Sequence, residues 1–308
     1  MKKFTLGICA FVLSLSLVWS PRVRADAVTD WNAHAAITMC GLTPPHESRL
    51  YAMMHLAIHD ALNTINRRFH PYVLDMQGPS GASAEAAVAT AAHDVLVPAL
   101  KQLVPVFYQI PAIQDCIAGK DGVIASVEAD YAAALDGIPE GAPKTQGIAI
   151  GHAAAAVILA LRVVDGSDTL LLDFDYPQGT HPGEYRFTPE APFAVVPGWG
   201  DVTPFVLHDS AQFRPGPPYA VTSPKYTADF NEVKSLGARV GSTRTAEQTQ
   251  IAHFWVESSP LQWNRIARTV SASAGLDMWE NARLFALLNM ALADGYIGSW
   301  ETKNHYNY

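Results

Sequence analysis

Charged residues are scarce in this sequence of 308 residues. Only 16% of its residues are charged, whereas 49% are apolar, and the 29 acidic side chains outnumber the 21 basic ones. An average soluble domain carries roughly 25% charged residues, so the composition excludes a disordered chain. The net charge of -8 argues against a nucleic-acid-binding protein, because no overall positive field attracts phosphate backbones.

Long apolar runs are missing beyond the N-terminus. No uncharged apolar stretch of about 18 residues or more follows it, so the sequence does not predict a polytopic membrane protein. Lys2 and Lys3 precede an apolar stretch over 4–19, and small residues follow up to Ala25. This layout predicts a secretory signal peptide over 1–25, with a single membrane anchor as the alternative. We therefore expect an exported protein, periplasmic or secreted, with no stable membrane span after cleavage.

Cysteine is also rare, with three residues in the whole chain. Cys9 lies inside the predicted signal peptide, which leaves Cys40 and Cys116 in the mature part. An oxidising compartment would allow these two to form a disulfide. Two thiols in so long a chain need not meet, so the sequence leaves both outcomes open.

The strict alternation of apolar and polar residues that marks a β-strand is almost absent. Apolar residues recur at the helical period instead, which predicts an all-α fold, a helical bundle. The predicted helices cover 50–66 (buried), 83–103 (Ser83 as N-cap), part of 113–135, 145–164 (interrupted at Gly147 and Gly151), a segment opened by a capping box of Thr245 and Gln248, and 276–300.

Residues 165–225, which we name the belt, hold ten of the 21 prolines and six of the 21 glycines. Proline removes a backbone donor and breaks regular elements, so irregular structure is expected here. Irregular segments longer than about 12–15 residues often cover a site in compact domains. We therefore expect an ordered lid over one helical part, 26–308, in preference to an interdomain linker. The aromatic residues expected to pack the belt down are Trp199, Phe205, Phe213 and Tyr219.

Three common catalytic motifs are missing. The segment nearest to G-x-S-x-G, at 78–82, ends in alanine, the nearest approach to a P-loop, at 119–121, reads G-K-D, and no G-x-G-x-x-G follows a strand. His55 and His59 share a helix face and could bind one metal ion, but their surroundings are apolar. This favours core histidines, and no metal ligand set is predicted.

The last segment carries Trp300, Lys303 and His305 at the end of a patterned helix. A lysine at a helix C-terminus has an ordinary role, because it offsets the helix dipole and the unpaired carbonyls. Residue chemistry alone favours this role for Lys303.

Several longer segments resemble bacterial vanadium-dependent haloperoxidases, in the superfamily shared with type 2 phosphatidic acid phosphatases and bacterial acid phosphatases. The matching segments are WGDVTPF at 199–205, QFRPGPP at 212–218, YTADFNEVK at 226–234, RTAEQT at 244–249, ENARLFA at 280–286 and ALAD at 291–294. Together the matches extend over most of the mature chain.

The resemblance implies an oxyanion site written K-x6-R-P, then P-S-G-H, then S-R-x5-H. Lys303 matches its first lysine and would bind vanadate or phosphate. Trp300, one turn earlier, matches an aromatic residue of the halide pocket in some members. The Arg-Pro, P-S-G-H and S-R-x5-H blocks have no counterpart, so the resemblance implies a chain truncated before them and inactive by itself.

The resemblance implies vanadate as the cofactor of the intact protein, which would oxidise halide with hydrogen peroxide. An acid phosphatase that needs no vanadate is the alternative within the superfamily. A secreted helical binding or scaffold protein, in which Lys303 only caps a helix, is the alternative from another class. Both enzyme interpretations imply small-molecule substrates, and no oligomeric state is predicted.

Overall fold

The computed structural model describes residues 26–39, 42–102 and 119–308, and it confirms the predicted all-α fold. The predicted signal peptide and both Cys40 and Cys116 lie outside these residues. The helices within the described ranges are α1 Ala27–Thr38, α2 Pro44–Ile65, α3 Ala84–Gln102, α4 Lys120–Asp136, α5 Ala142–Arg162, α6 Pro224–Gly237, α7 Ala246–Phe254, α8 Ser259–Ala274 and α9 Met278–Tyr306.

Helix α2 is the centre of the molecule. Every side chain from Leu50 to Ile65 is buried, as expected for a helix that is apolar on all sides. It packs against α3, α5, α8 and α9. The helix begins six residues earlier than predicted because Pro44 and Pro45 occupy its first turn, where no backbone N–H is required.

The helix starts follow the polar residues that the sequence offers. The predicted capping box opens α7, where the Thr245 hydroxyl accepts from the Gln248 N–H at 3.1 Å and the Gln248 side chain accepts from the Thr245 N–H at 2.8 Å. Ser83 opens α3 as predicted, with its hydroxyl 3.2 Å from the Ala86 N–H. Asp277 caps the 29-residue helix α9.

Helix α5 is continuous, so the prediction that Gly147 and Gly151 interrupt it is wrong. The two glycines bring α5 against α3. A Cβ atom at Gly151 would lie 2.6 Å from the Ala87 carbonyl oxygen, and one at Gly147 would clash with the carbonyl of Ser83. By length and composition α5 could also span a membrane, and the side of it that carries the two glycines is packed against α3 inside the protein.

The belt is irregular, as predicted from its prolines. Its regular elements are a two-residue antiparallel pair, β1 Leu172–Asp173 with β2 Ala194–Val195, and a 3-10 helix over Pro197–Asp201. Trp199 and Phe205 are buried as predicted. Phe213 and Tyr219 are 75% and 49% exposed, so the expectation that these two pack the belt down is wrong.

Three side chains hold the belt at Phe205, two from helices and one, Tyr72, from the segment between α2 and α3. Asp294 of α9 accepts the N–H groups of residues 205, 206 and 207 at 2.6, 2.8 and 2.9 Å. Tyr72 donates its hydroxyl to the Phe205 carbonyl at 2.8 Å, and the Arg162 guanidinium lies 3.9 Å above the Phe205 ring. This part of the belt is therefore fixed to α9, to α5 and to the segment between α2 and α3.

Candidate functional site

The C-terminal end of α9 carries the two site residues predicted from the sequence, Trp300 and Lys303. The helix ends at Asn307, whose backbone is left-handed and whose N–H donates to the Lys303 carbonyl at 2.9 Å. An asparagine tolerates this conformation better than most residues, so the sequence supplies a natural end.

The Lys303 ammonium lies over the indole of Trp300, with Nζ 4.5 Å from the ring centroid. Helix side chains point toward the N-terminus, and the lysine follows this direction. Among the described residues Nζ makes no hydrogen bond to a carbonyl of the last turn, so capping is not its observed contact. The side chain is exposed, which leaves three N–H donors open to a ligand.

Trp300 is held in place by the belt. Its indole Nε1 donates to the Val195 carbonyl at 3.2 Å, and the ring packs with a small cluster that includes Trp199 and Ile297. This packing accounts for the tryptophan structurally, and its role in a halide pocket stays a prediction. The indole is a fixed platform for the Lys303 ammonium, since cations are attracted to the faces of aromatic rings.

The belt encloses the end of α9 from several sides. Gly200 lies directly on the helix, where a Cβ atom would be 2.7 Å from the Glu301 nitrogen. Arg214 pairs with Glu301 through two hydrogen bonds, of which the one from Nε measures 3.0 Å. Tyr306 donates its hydroxyl to the Pro215 carbonyl at 2.8 Å.

Two cavities meet at Lys303. The larger, of about 780 Å³, is named the apolar groove and is lined by Val206, Leu207, Ser210, Phe213, Pro215, Leu287, Met290, Ala291, Asp294, Gly295, Gly298, Ser299, Thr302 and Lys303. The smaller, of about 340 Å³, is named the aromatic pocket and is lined by Tyr176, Tyr185, Phe193, Ala194, Val195, Pro197, Trp300, Lys303, Asn304, Asn307 and Tyr308. Lys303 and its positive charge are common to both.

The neighbouring acidic groups do not neutralise Lys303. Hydrogen bonds from Arg214 lower the pKa of Glu301, so this carboxylate is ionised and already paired. The Asp294 carboxylate is taken up by the three belt N–H groups described above. Within the described part of the chain, the ammonium is therefore the charge left available to a ligand in either cavity.

The core contains a buried polar network that the sequence analysis missed. Asn264 and Asn289 exchange side-chain hydrogen bonds of 2.7 and 3.0 Å, and Asn32 donates to Asn264 at 2.7 Å. Asn32 also lies 2.8 Å from His55 Nε2, and burial together with the charge of Arg268 lowers the pKa of His55 to about 3. The network could have been predicted from the asparagines, because they occupy positions on helix faces that are otherwise apolar.

His55 is the core histidine that the sequence favoured. It stacks between Tyr51 and Phe285, while the ring of His59 turns to the carbonyl of His70 at 3.1 Å. The two histidines therefore have separate partners. No group of three or more histidine, cysteine or acidic side chains in the described ranges is arranged to hold a metal ion.

The chain matches no protein-family model and no curated protein sequence. Among solved structures it is similar to a bacterial vanadium-dependent iodoperoxidase, with a TM-score of 0.65 and 19% sequence identity over 91% of this chain and 69% of that chain. The chain has the fold of a vanadium iodoperoxidase. At 19% sequence identity this similarity establishes the fold alone. The resemblance seen in the sequence is therefore confirmed for the fold.

Within this haloperoxidase-like fold, the structure brings Trp300 and Lys303 together. The disulfide predicted as one option for Cys40 and Cys116 concerns residues outside the described ranges. Arg214 and the apolar groove were not identified from the sequence, because both depend on how the irregular belt folds over α9.

Proposed function

We propose that the protein is a vanadium haloperoxidase-like, oxyanion-binding protein in which Lys303 binds an oxygen of vanadate. The observation that carries this proposal is the exposed ammonium of Lys303, which has no acidic partner among the described residues and belongs to a side chain that lines both cavities. The iodoperoxidase with the same fold is vanadium-dependent by name, and this supports the choice of vanadate as the oxyanion.

The residues described do not make a complete vanadate site. Lys303 supplies one positive charge, and the C-terminal end of α9 adds a negative partial charge that opposes an anion. Arg214, the nearby guanidinium, is engaged by Glu301. An oxyanion of this charge is normally held by several cationic and N–H donors. We therefore expect vanadate binding without halide oxidation from the 308-residue chain alone.

Vanadium NMR of the purified 308-residue chain tests the binding step. Wild-type protein is expected to broaden the vanadate signal, and Lys303→Met is expected to weaken binding about tenfold or more, because a charge-assisted hydrogen bond is lost. Lys234→Met is the matched control, since Lys234 also lies in the last turn of a helix, α6. Equal broadening by all three proteins would contradict the proposal.

Turnover separates the proposed function from its alternatives. With vanadate, iodide and hydrogen peroxide, the chain is expected to give no oxidation above that of free vanadate, and no hydrolysis of a phosphate monoester. Vanadate-dependent halide oxidation would show that the chain carries a complete site. Phosphate-ester hydrolysis without vanadate would assign the phosphatase branch instead.

Export is part of the proposed function and has its own test. The layout of 1–25 is that of a cleaved signal peptide. Mass spectrometry of protein secreted by a bacterial host is expected to find a mature chain that begins at Asp26. Retention of the intact N-terminus at the membrane would favour the anchor alternative.

A further inference from the structure

The apolar groove has two walls of different origin. One wall is the face of α9 that carries Leu287, Ala291, Gly295 and Ser299 at every fourth position, and all four are exposed. A solvent-facing helix stripe normally carries charged residues, whereas this one carries none between Arg283 and Lys303. An exposed face of small and apolar residues without charge can lie against an apolar ligand.

The opposite wall comes from the belt. Val206 and Phe213 are 64% and 75% exposed, although both are large and apolar, and both line the groove. The belt is fixed on its α9 side through Asp294, which accepts the N–H group of Val206 at 2.8 Å. The wall is therefore held in place with its apolar side chains facing the groove.

Glycine keeps the space between the walls open. A Cβ atom at Gly295 would meet nothing within 4 Å, and one at Gly298 would meet the Ser210 carbonyl oxygen at an ordinary 3.5 Å. Glycine inside a helix costs roughly 0.5–1 kcal/mol relative to alanine, and no close packing requires it here. The absent side chains enlarge the groove beside Lys303.

The charged residues that line the groove determine whether it favours an anionic or a cationic ligand. Its lining contains two ionisable side chains, Asp294 and Lys303. Asp294 is satisfied by backbone N–H groups, so the charge open to a ligand is that of Lys303, which lines the end of the groove and whose ammonium rests over Trp300. The volume of about 780 Å³ lies within the range of small-molecule sites.

We propose that the apolar groove binds a free organic carboxylate with an alkyl body, the head at Lys303 and the body between α9 and the belt. The proposal extends the anion-binding role proposed for Lys303 and rests on it for the head group. Apolar area removed from water supplies affinity, and Lys303 supplies the preference for an anion.

Calorimetric titration with decanoate tests the proposal, using decanol and decyltrimethylammonium as the neutral and cationic counterparts. Wild-type protein is expected to bind decanoate at least tenfold more tightly than either counterpart. Gly295→Leu fills the groove and is expected to weaken decanoate binding about tenfold while vanadate still binds. Gly122→Leu in α4 is the matched control, because its Cβ also meets nothing within 4 Å, and it is expected to bind decanoate as wild type does.

The outcomes separate this proposal from the proposed function. If Gly295→Leu binds decanoate as wild type does, the groove is not the site and this inference fails, whatever vanadate does. If decanol binds as tightly as decanoate, the groove does not prefer an anionic head group and the proposed role of Lys303 in it is wrong. If vanadate fails to bind but decanoate binding depends on Lys303 and Gly295, the inference stands and the vanadate proposal fails. A dimer that Gly295→Leu dissociates, without decanoate binding, assigns the groove to a second copy and overturns the inference.

Discussion

Helices α5 and α9 each contain two glycines, and the glycines have opposite surroundings. In α5, a Cβ atom at Gly151 would meet both the Ala87 carbonyl and the Thr90 side chain at 2.6 Å. In α9, a Cβ atom at Gly295 would meet nothing within 4 Å. The first pair closes a helix interface and the second leaves a groove open. The same residue type in apolar helices therefore marks core packing in one place and a candidate ligand site in the other.

The largest expected effect is at the closed interface. Gly151→Leu forces a side chain into the backbone of α3, so the helices must separate, and we expect a loss of about 3 kcal/mol or more in the free energy of unfolding. Urea unfolding followed by circular dichroism measures it. Gly122→Leu in α4 is the control and is expected to remain near wild type. Equal midpoints for the two variants would show that α5 and α3 do not pack as closely as described.

The belt wall of the groove gives the next effect. Asp294→Asn replaces a carboxylate that accepts three N–H groups with an amide that has one acceptor oxygen, so we expect a loss of about 2 kcal/mol. Limited proteolysis is expected to cut the variant between 206 and 215 faster than wild type. An unchanged cleavage rate would mean that Asp294 does not hold this wall.

The free energy of unfolding is expected to depend on pH through Glu47. This carboxyl is buried at the start of α2, next to Ser258, and burial raises its pKa to about 7 from an ordinary 4.5. Because the folded-state pKa is the higher one, its contribution to stability is present below pH 4.5 and is lost as the pH rises through 7. Glu47→Gln is expected to gain about 1–3 kcal/mol relative to wild type between pH 4.5 and 8.

Over part of this pH range, two histidines change the free energy of unfolding in the opposite direction. Burial lowers the pKa of His46 to about 4 and that of His55 to about 3, so both favour folding as the pH rises toward 6.5. They are common to wild type and Glu47→Gln, so the difference in unfolding free energy between the two isolates Glu47. A constant difference from pH 4.5 to 8 would contradict the buried, protonated carboxyl.

The smallest effect is at the open groove. Gly295→Ala adds one methyl group that meets no neighbour and improves helix propensity, so we expect a gain of about 0.5–1 kcal/mol. Thermal unfolding of the variant beside wild type measures it. A loss of stability would mean that the groove is packed shut in solution.

Much of the fold follows from the sequence. The apolar run around Leu50 predicts the buried helix, and the Thr245–Gln248 capping box is found where expected. The error at Gly147 and Gly151 has a physical cause. Propensity treats glycine as a helix breaker, whereas tertiary packing against α3 keeps α5 continuous.

The candidate site could be predicted only in part. Lys303 matches the first lysine of the family motif and lies one turn after Trp300. The groove and the Arg214–Glu301 pair join residues far apart in the chain through an irregular segment, for which no periodic pattern exists. Exposure of Phe213 could not be predicted either, because apolar character alone indicates burial.

The most direct test of the central claim is a crystal structure of the 308-residue protein soaked with vanadate. We predict an anomalous vanadium peak beside Lys303, placed so that a vanadate oxygen accepts a hydrogen bond from the ammonium, and no such peak in Lys303→Met. Vanadium bound elsewhere on the protein, with Lys303 still resting on Trp300, would contradict the assignment of Lys303 as an oxyanion ligand.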